Sequence, residues 1–186
     1  MKILGFAGSL RAESYNKKSL RVALEGAREA GAEIEELDLR ELNIPPYDGD
    51  VEEKDGLPDG VKTLKKKIQE ADALLIASPE YNNSISGVLK NAIDWASRKG
   101  EDGTKPFKGK PAGLITASDG RFGGLRAAIV FRTIARTLGI YLMNEEVQVA
   151  NAPEVFDGDE IVNERVGKQL KELGKKLVDW ANNFKK

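Results

Sequence analysis

The chain of 186 residues contains no cysteine and no histidine. Without cysteine there is no disulfide, no thiolate nucleophile and no cysteine-ligated iron–sulfur cluster. Without histidine there is no Ser-His-Asp triad, no His-ligated zinc and no imidazole base. Any chemistry must come from carboxylates, lysine, tyrosine, arginine, hydroxyls or a borrowed cofactor. A dominant charge is missing too: Lys+Arg 29 stand against Asp+Glu 30, a net charge of -1. No basic stripe suits nucleic acid, and no polybasic amphipathic segment suits a membrane surface. The first apolar run stops at Gly8, too short for a signal peptide or a spanning helix, so a cytoplasmic protein is expected.

What is present is alternation. Residues 2–8 read as a buried strand, and a helix follows from about Asn16 to Ala30, stopped by Gly31. Residues 33–39 alternate like a half-covered strand near an edge. A long polar stretch, Asn43 to Gly60, predicts a loop that is either functional or a surface excursion. Asp59 then caps a helix carrying Val61, Leu64, Ile68 and Ala71 on one face. Residues 72–78 (DALLIAS) carry a continuous apolar run, as a central parallel strand buried on both faces should. A helix over Ser86–Arg98, a polar linker over Gly100–Lys110, a strand over 111–117 and a helix over Gly124–Leu138 follow in turn. Residues 140–150 supply the last strand. Asp159–Asn183 reads as the closing helix, with Val162, Val166, Leu170, Leu173, Leu177 and Phe184 as its buried stripe. Five strands alternating with five helices, with no repeat or change of composition, predict one α/β domain over residues 1–186. It is three-layered and doubly wound on a five-stranded parallel sheet.

In such sheets ligands bind beyond the carboxyl ends of the strands, where strand order reverses. Three connections fall there: Gly8-Ser9-Leu10-Arg11, Ser78-Pro79-Glu80-Tyr81-Asn82-Asn83-Ser84, and Ser118-Asp119-Gly120-Arg121-Phe122-Gly123-Gly124. The first runs into a helix N-terminus, whose unpaired amides and positive dipole end favour an anion. Ser9, Ser14 and Asn16 add hydrogen-bond donors, and Arg11 a charge-assisted one. The bland alternative is a helix cap, since Ser14 and Asn16 both suit that role. Neither GxGxxG nor GxxxxGK[ST] occurs in this loop, which argues against Rossmann and P-loop sites. In the second connection Pro79 stops the strand. In the third, Gly120, Gly123 and Gly124 permit positive φ and close approach of a flat ligand.

Three segments, GSLRAESYN (Gly8–Asn16), SPEYNNSISGVLKNAIDW (Ser78–Trp95) and SDGRFGGLR (Ser118–Arg126), resemble the NAD(P)H-dependent FMN reductase family of flavodoxin-like proteins. Azoreductases, quinone reductases and chromate reductases are among its members. The resemblance implies a flavodoxin-like sheet of order 2-1-3-4-5 with FMN bound non-covalently. By position, Ser9, Arg11, Ser14 and Asn16 would hold the phosphate. Pro79, Glu80, Tyr81, Asn82 and Ser84 would line the isoalloxazine and ribityl region, and Ser118, Asp119 and Gly120 would pack on the other side of the ring. Two departures stand out. Ser86 replaces a proline common in the relatives, which is expected to loosen that turn, and Asp119 puts an acid beside the ring.

The resemblance further implies ping-pong hydride transfer from NADPH or NADH through FMN to a small-molecule electron acceptor: a quinone, an azo compound, free flavin or a metal oxyanion. No catalytic side chain and no metal is expected, since the cofactor carries the redox chemistry. A homodimer or homotetramer is also implied. The competing readings are a flavodoxin-type electron carrier without its own NAD(P)H oxidation and a phosphate-ligand protein without redox chemistry. Flavodoxins are strongly acidic and this chain is not.

Overall fold

The computed structural model describes residues 1–100 and 103–184, so Glu101 and Asp102 of the expected linker lie outside the described residues. In chain order the elements are β1 (Lys2–Ala7), α1 (Tyr15–Glu29), β2 (Glu33–Leu37), α2 (Gly49–Asp55), α3 (Asp59–Glu70) and β3 (Ala73–Ser78). They continue with β4 (Glu80–Tyr81), β5 (Ser84–Ile85), α4 (Gly87–Ala96), β6 (Pro111–Ala117), α5 (Leu125–Leu138) and β7 (Tyr141–Val149). The chain closes with α6 (Ala152–Val155), β8 (Phe156–Asp157), β9 (Glu160–Ile161) and α7 (Glu164–Asn182).

The long strands form one sheet, β2-β1-β3-β6-β7, with every neighbouring pair parallel. Counting those strands alone, the order is 2-1-3-4-5, the flavodoxin-like arrangement. Because side chains alternate across a strand, each central strand feeds two cores. Ile3, Leu75 and Ile115 face α1 and α7, where they meet Leu20, Leu24, Leu173 and Leu177. Leu4, Leu74, Ile76 and Leu114 face the opposite way, against Leu64, Ile68, Leu89 and Phe131 of α3, α4 and α5. Residues 73–78 are buried without exception, whereas β2, at one edge, shows the half-covered pattern expected of it.

Several boundaries differ from the sequence reading. The closing helix begins at Glu164, where the Asn163 side chain accepts from the Val166 amide at 3.1 Å. Residues 156–161 instead form the β8–β9 hairpin, turned by Gly158 at φ 54. Val162, assigned above to the buried stripe, is accordingly 56% exposed, and Phe184 is also exposed, stacking on Tyr141. Pro58, not Asp59, occupies the cap position of α3. The Asn43–Gly60 stretch is ordered by its own contacts. Asp48 caps α2 by accepting from the Asp50 amide, the Trp95 indole donates to the Pro45 carbonyl at 2.9 Å, and Tyr47 packs edge-on to Trp95.

Helices α1 and α7 approach more closely than side chains allow. A Cβ on Gly174 would lie 1.9 Å from the Ala23 carbonyl oxygen, and one on Gly26 would lie 2.1 Å from that of Lys171. Alanine is favoured over glycine in a helix by about 1 kcal/mol, so Gly174→Ala would stabilise if that space were free. The clash reverses the sign. We expect Gly174→Ala to lower stability by about 2 kcal/mol in urea denaturation, the scale of an overpacked core.

Candidate active site at the carboxyl edge of the sheet

β1 lies between β2 and β3, so the connection leaving β1 sits where the strand order reverses. A cleft of about 270 Å³ opens there, lined by Ser9, Arg11, Ser14, Tyr15, Asn16, Pro79, Glu80, Tyr81, Ala117, Ser118 and Asp119. Three separate connections, those following β1, β3 and β6, therefore meet at one place, as the topology requires. A larger hollow of about 840 Å³ lies among α2, α3 and the end of α4. No strand-end residue lines it, and several of its charges are already engaged: Lys62 with Asp59, Arg98 with Glu52, and the Lys65 ammonium on the Arg98 and Lys99 carbonyls.

The first connection presents unused hydrogen-bond donors and a cation to the cleft. Ser14 is the N-cap of α1, its Oγ accepting from the Lys17 amide at 3.4 Å, and the Ser9 Oγ accepts from the Arg11 amide at 3.4 Å. Both hydroxyls retain a proton to donate. The first-turn amides of Tyr15 and Asn16 find no acceptor among the described residues. The Arg11 side chain is exposed and pairs with no carboxylate among them. Capping and anion binding are thus compatible, because the cap uses only the lone pairs of Ser14.

Asn16 differs from expectation. Its Nδ2 donates to the Ala117 carbonyl and its Oδ1 accepts from the Ala117 amide, both at 3.0 Å, in the interior. The side chain therefore fastens the first connection to the end of β6, and what Asn16 offers the cleft is its backbone N–H.

The second connection is a two-residue hairpin. Asn82 and Asn83 both adopt positive φ, 51 and 63, in the turn that joins β4 to β5. Asn82 and Ser84, assigned to the ring and ribityl region from the resemblance, stand in this hairpin and are not among the residues lining the cleft. Glu80 lines the cleft, but its carboxylate also accepts from the Arg126 amide at 2.9 Å and from the Arg126 guanidinium at 3.1 Å, tying the hairpin to the start of α5. Ser86 does not loosen the turn. Its hydroxyl donates to the Gly8 carbonyl at 2.5 Å and accepts from the Leu89 amide at 3.1 Å, so it caps α4 and binds the second connection to the first. Gly8 is required there, since a Cβ would come within 2.6 Å of Leu89 Cβ.

In the third connection, Ser118 and Asp119 line the cleft and Gly120 does not. Gly120 lacks the positive φ expected of it; its carbonyl accepts from the Gly123 and Asn151 amides and so closes the loop on itself. Gly123 and Gly124 do have positive φ, but their close neighbours are the Gln148–Ala150 backbone and Thr116. Their glycines serve packing of the loop against its own sheet.

Tyr15 and Ala117 are lining residues that the sequence reading missed. The Tyr15 ring stacks on Phe156 at 5.9 Å, and the Lys18 ammonium reaches Glu13 at 2.7 Å and the Gly158 carbonyl at 2.6 Å, drawing the β8–β9 hairpin against α1. The hydrogen bond to Glu13 raises the pKa of Lys18. Tyr15 directly follows the cap residue, a signal present in sequence; its partner was hidden with the unrecognised hairpin. No cluster of metal-ligating side chains occurs among the described residues, and no helix there is long and apolar enough to cross a membrane.

A doubly wound parallel sheet in this order, with a cleft at its reversal point, defines a flavodoxin-like protein. Residues 1–154 match the family model described as NADPH-dependent FMN reductase. The NAD(P)H-dependent FMN reductase of Pseudomonas aeruginosa is 43% identical over 179 residues, covering 93% of each chain. The NAD(P)H:quinone oxidoreductase of Solanum tuberosum is 40% identical, over 91% of this chain and 86% of that one. The solved flavoenzyme NAD(P)H:(acceptor) oxidoreductase FerB of Paracoccus denitrificans superposes with a TM-score of 0.82 at 31% identity, covering 98% of this chain and 97% of its own. The chain belongs to the NADPH-dependent FMN reductase family. It is a flavin-dependent oxidoreductase, with FMN as cofactor and NAD(P)H as hydride donor.

The Asn16–Ala117 pair sets how the cradle meets β6. We expect Asn16→Ala, which leaves a buried amide and carbonyl unpaired, to lower stability by about 2–4 kcal/mol in a urea titration of the flavin-free protein.

Proposed function

We propose that this cleft holds FMN and that the protein passes electrons from NADPH or NADH to flat small-molecule oxidants, quinones first among them. The observation that carries the reading is the meeting of unpartnered α1 amides, two hydroxyls with protons to donate and the unpaired Arg11 guanidinium at the sheet's reversal point. Those groups suit a phosphate dianion. Ser9, Arg11 and Ser14, with the backbone amides of Tyr15 and Asn16, would hold the phosphate. Pro79, Glu80 and Tyr81 would flank the ring and ribityl chain, with Ser118 and Asp119 opposite.

When bound, FMN supplies two-electron chemistry, accepting hydride from the nicotinamide and reducing the second substrate. The protein's own part is to bind and orient. No side chain in the cleft is an acid or base of the kind histidine provides, so the residues anchor the phosphate, stiffen the rim and leave one face open. Glu80 is held on Arg126 and so fixes the rim. Exposed Tyr81, at the same rim, offers an aromatic surface for a planar oxidant. The half-exposed stripe of Phe122, Leu125 and Ile129 beside it suits a second copy of the chain, which supports a homo-oligomer with the cleft near the subunit boundary. Azo compounds, free flavin and metal oxyanions extend the acceptor range of the same open face.

We expect the flavin-free protein to take up FMN stoichiometrically and its visible absorbance to bleach when NADPH or NADH is added without oxygen, with colour returning on addition of a quinone. A chain that takes up no FMN would end this reading. We also expect Arg11→Ala to raise the Kd for FMN about tenfold or more, the loss of one charge-assisted hydrogen bond, with an unchanged circular dichroism spectrum.

A further inference from the structure

The peptide joining Leu10 to Arg11 is gripped from the side away from the cleft. Arg40, just beyond the end of β2, donates to the Leu10 carbonyl through Nε at 3.1 Å and through Nη2. Arg40 and Leu10 line a separate hollow together with Leu39, Asn43, Ile44, Val88, Asn91 and Ala92, whereas Ser9 and Arg11 line the cleft. The carbonyl thus points out of the cleft. In a trans peptide the N–H points the opposite way, so the Arg11 amide is directed to the cleft side, where it meets the Ser9 hydroxyl.

Arg40 is itself fixed. Its backbone amide donates to Asp38 Oδ1 at 2.9 Å, and Asp38 Oδ2 accepts from the Lys17 ammonium at 2.6 Å. Lys17 lies in the first turn of α1, the helix whose amides face the cleft. The contacts close a ring: end of β2, Arg40, Leu10, the first connection, α1, Lys17, Asp38 and back to β2. Burial pushes the Asp38 carboxyl upward in pKa, but the hydrogen bonds from Lys17 and from the Arg40 amide outweigh it and hold the pKa below the ordinary value. Other arginines near the sheet are neutralised by carboxylates, as in Arg126 with Glu80 and Arg132 with Glu146. Arg40 has a backbone carbonyl in that place.

We propose that Arg40, held by Asp38, is a positioning residue that locks the Leu10–Arg11 peptide with its carbonyl turned away from the bound phosphate, and so makes the cleft selective for a phosphorylated flavin. Without this grip nothing among the described contacts holds that carbonyl, and a rotated peptide would present its partial negative charge to the phosphate. The effect falls on the phosphate end of the ligand and not on the ring. The inference rests on the FMN reading of the cleft for its ligand, while the lock itself exists in the flavin-free chain.

The test uses Arg40→Met and Arg40→Lys, at an exposed position where neither change empties the core. Hydrogen exchange on the flavin-free protein should show residues 9–16 exchanging about tenfold faster in Arg40→Met, with the thermal midpoint unmoved. Titration should give a Kd for FMN raised about tenfold in Arg40→Met and partly restored in Arg40→Lys, with the Kd for riboflavin, which has no phosphate, within about twofold of the parent. Unchanged exchange in residues 9–16 would overturn the lock, whether or not the parent chain binds FMN. Equal loss of FMN and riboflavin would overturn the selectivity. A parent chain that binds neither flavin removes the FMN reading instead, and the exchange measurement still decides the lock.

Discussion

Two hydrogen bonds between the Asn16 side chain and the backbone of Ala117 join segments 101 residues apart and set the geometry of the whole carboxyl edge. Asn16 stands in the first turn of α1, and Ala117 ends β6, two strands across the sheet. A side-chain amide is suited to this task, because it offers one donor and one acceptor to match a peptide's own pair. Ser86 makes the second cross-link, joining Gly8 at the end of β1 to the start of α4. Glu80 makes the third, from the hairpin after β3 to α5. Each of the three connections is therefore fastened to a neighbour by a polar contact, buried at Asn16 and Ser86, and the cleft is what remains between them. Preorganisation of this kind lowers the ordering entropy that a ligand must otherwise overcome.

The architecture was legible because its signals are long and redundant. Residues 73–77 are apolar throughout, and the helical stripes repeat over three or more turns, so sheet and layers follow from periodicity and connection rules, while the strand order is what the family resemblance implies. The location of the cleft followed from topology alone. What escaped was short or depended on side-chain direction. Gly158-Asp159 is a hairpin signal of two residues at the very start of the stretch read as helical, and the better cap at Asn163 is visible only as a hydrogen bond. Asn82-Asn83 forms the turn of the β4–β5 hairpin with positive φ at both residues, a geometry that position along the chain does not announce.

Glycine and asparagine mislead for a related reason. A glycine needed for close approach looks the same in sequence whether the approaching group is a ligand or the protein's own backbone. At Gly124 the neighbour is Thr116, and at Gly123 it is the Gln148–Ala150 segment. Asn16 likewise reads as a donor for an anion or as a link between loops, and only its distance to Ala117 distinguishes them. Ser14 is the instructive contrast. Its oxygen caps the helix while its proton stays available, so the structural role leaves the hydroxyl free to donate.

The lack of histidine and cysteine now has a physical counterpart in the site. A redox cofactor relieves the chain of acid–base and thiol chemistry, which leaves binding, orientation and tuning as the work of ordinary side chains. Those tasks call for hydroxyls, amides and fixed cations, and the cleft contains them. They also call for rigidity, which a cysteine-free protein must obtain without disulfides. Here rigidity comes from hydrogen bonds between distant connections and from lysines placed on acids and carbonyls: Lys17 on Asp38, Lys18 on Glu13 and Gly158. Both lysines belong to the first turn of α1, beside the cleft that Arg11 lines. Pairing them with acids outside the cleft leaves Arg11 as the unpaired cation among its described lining residues.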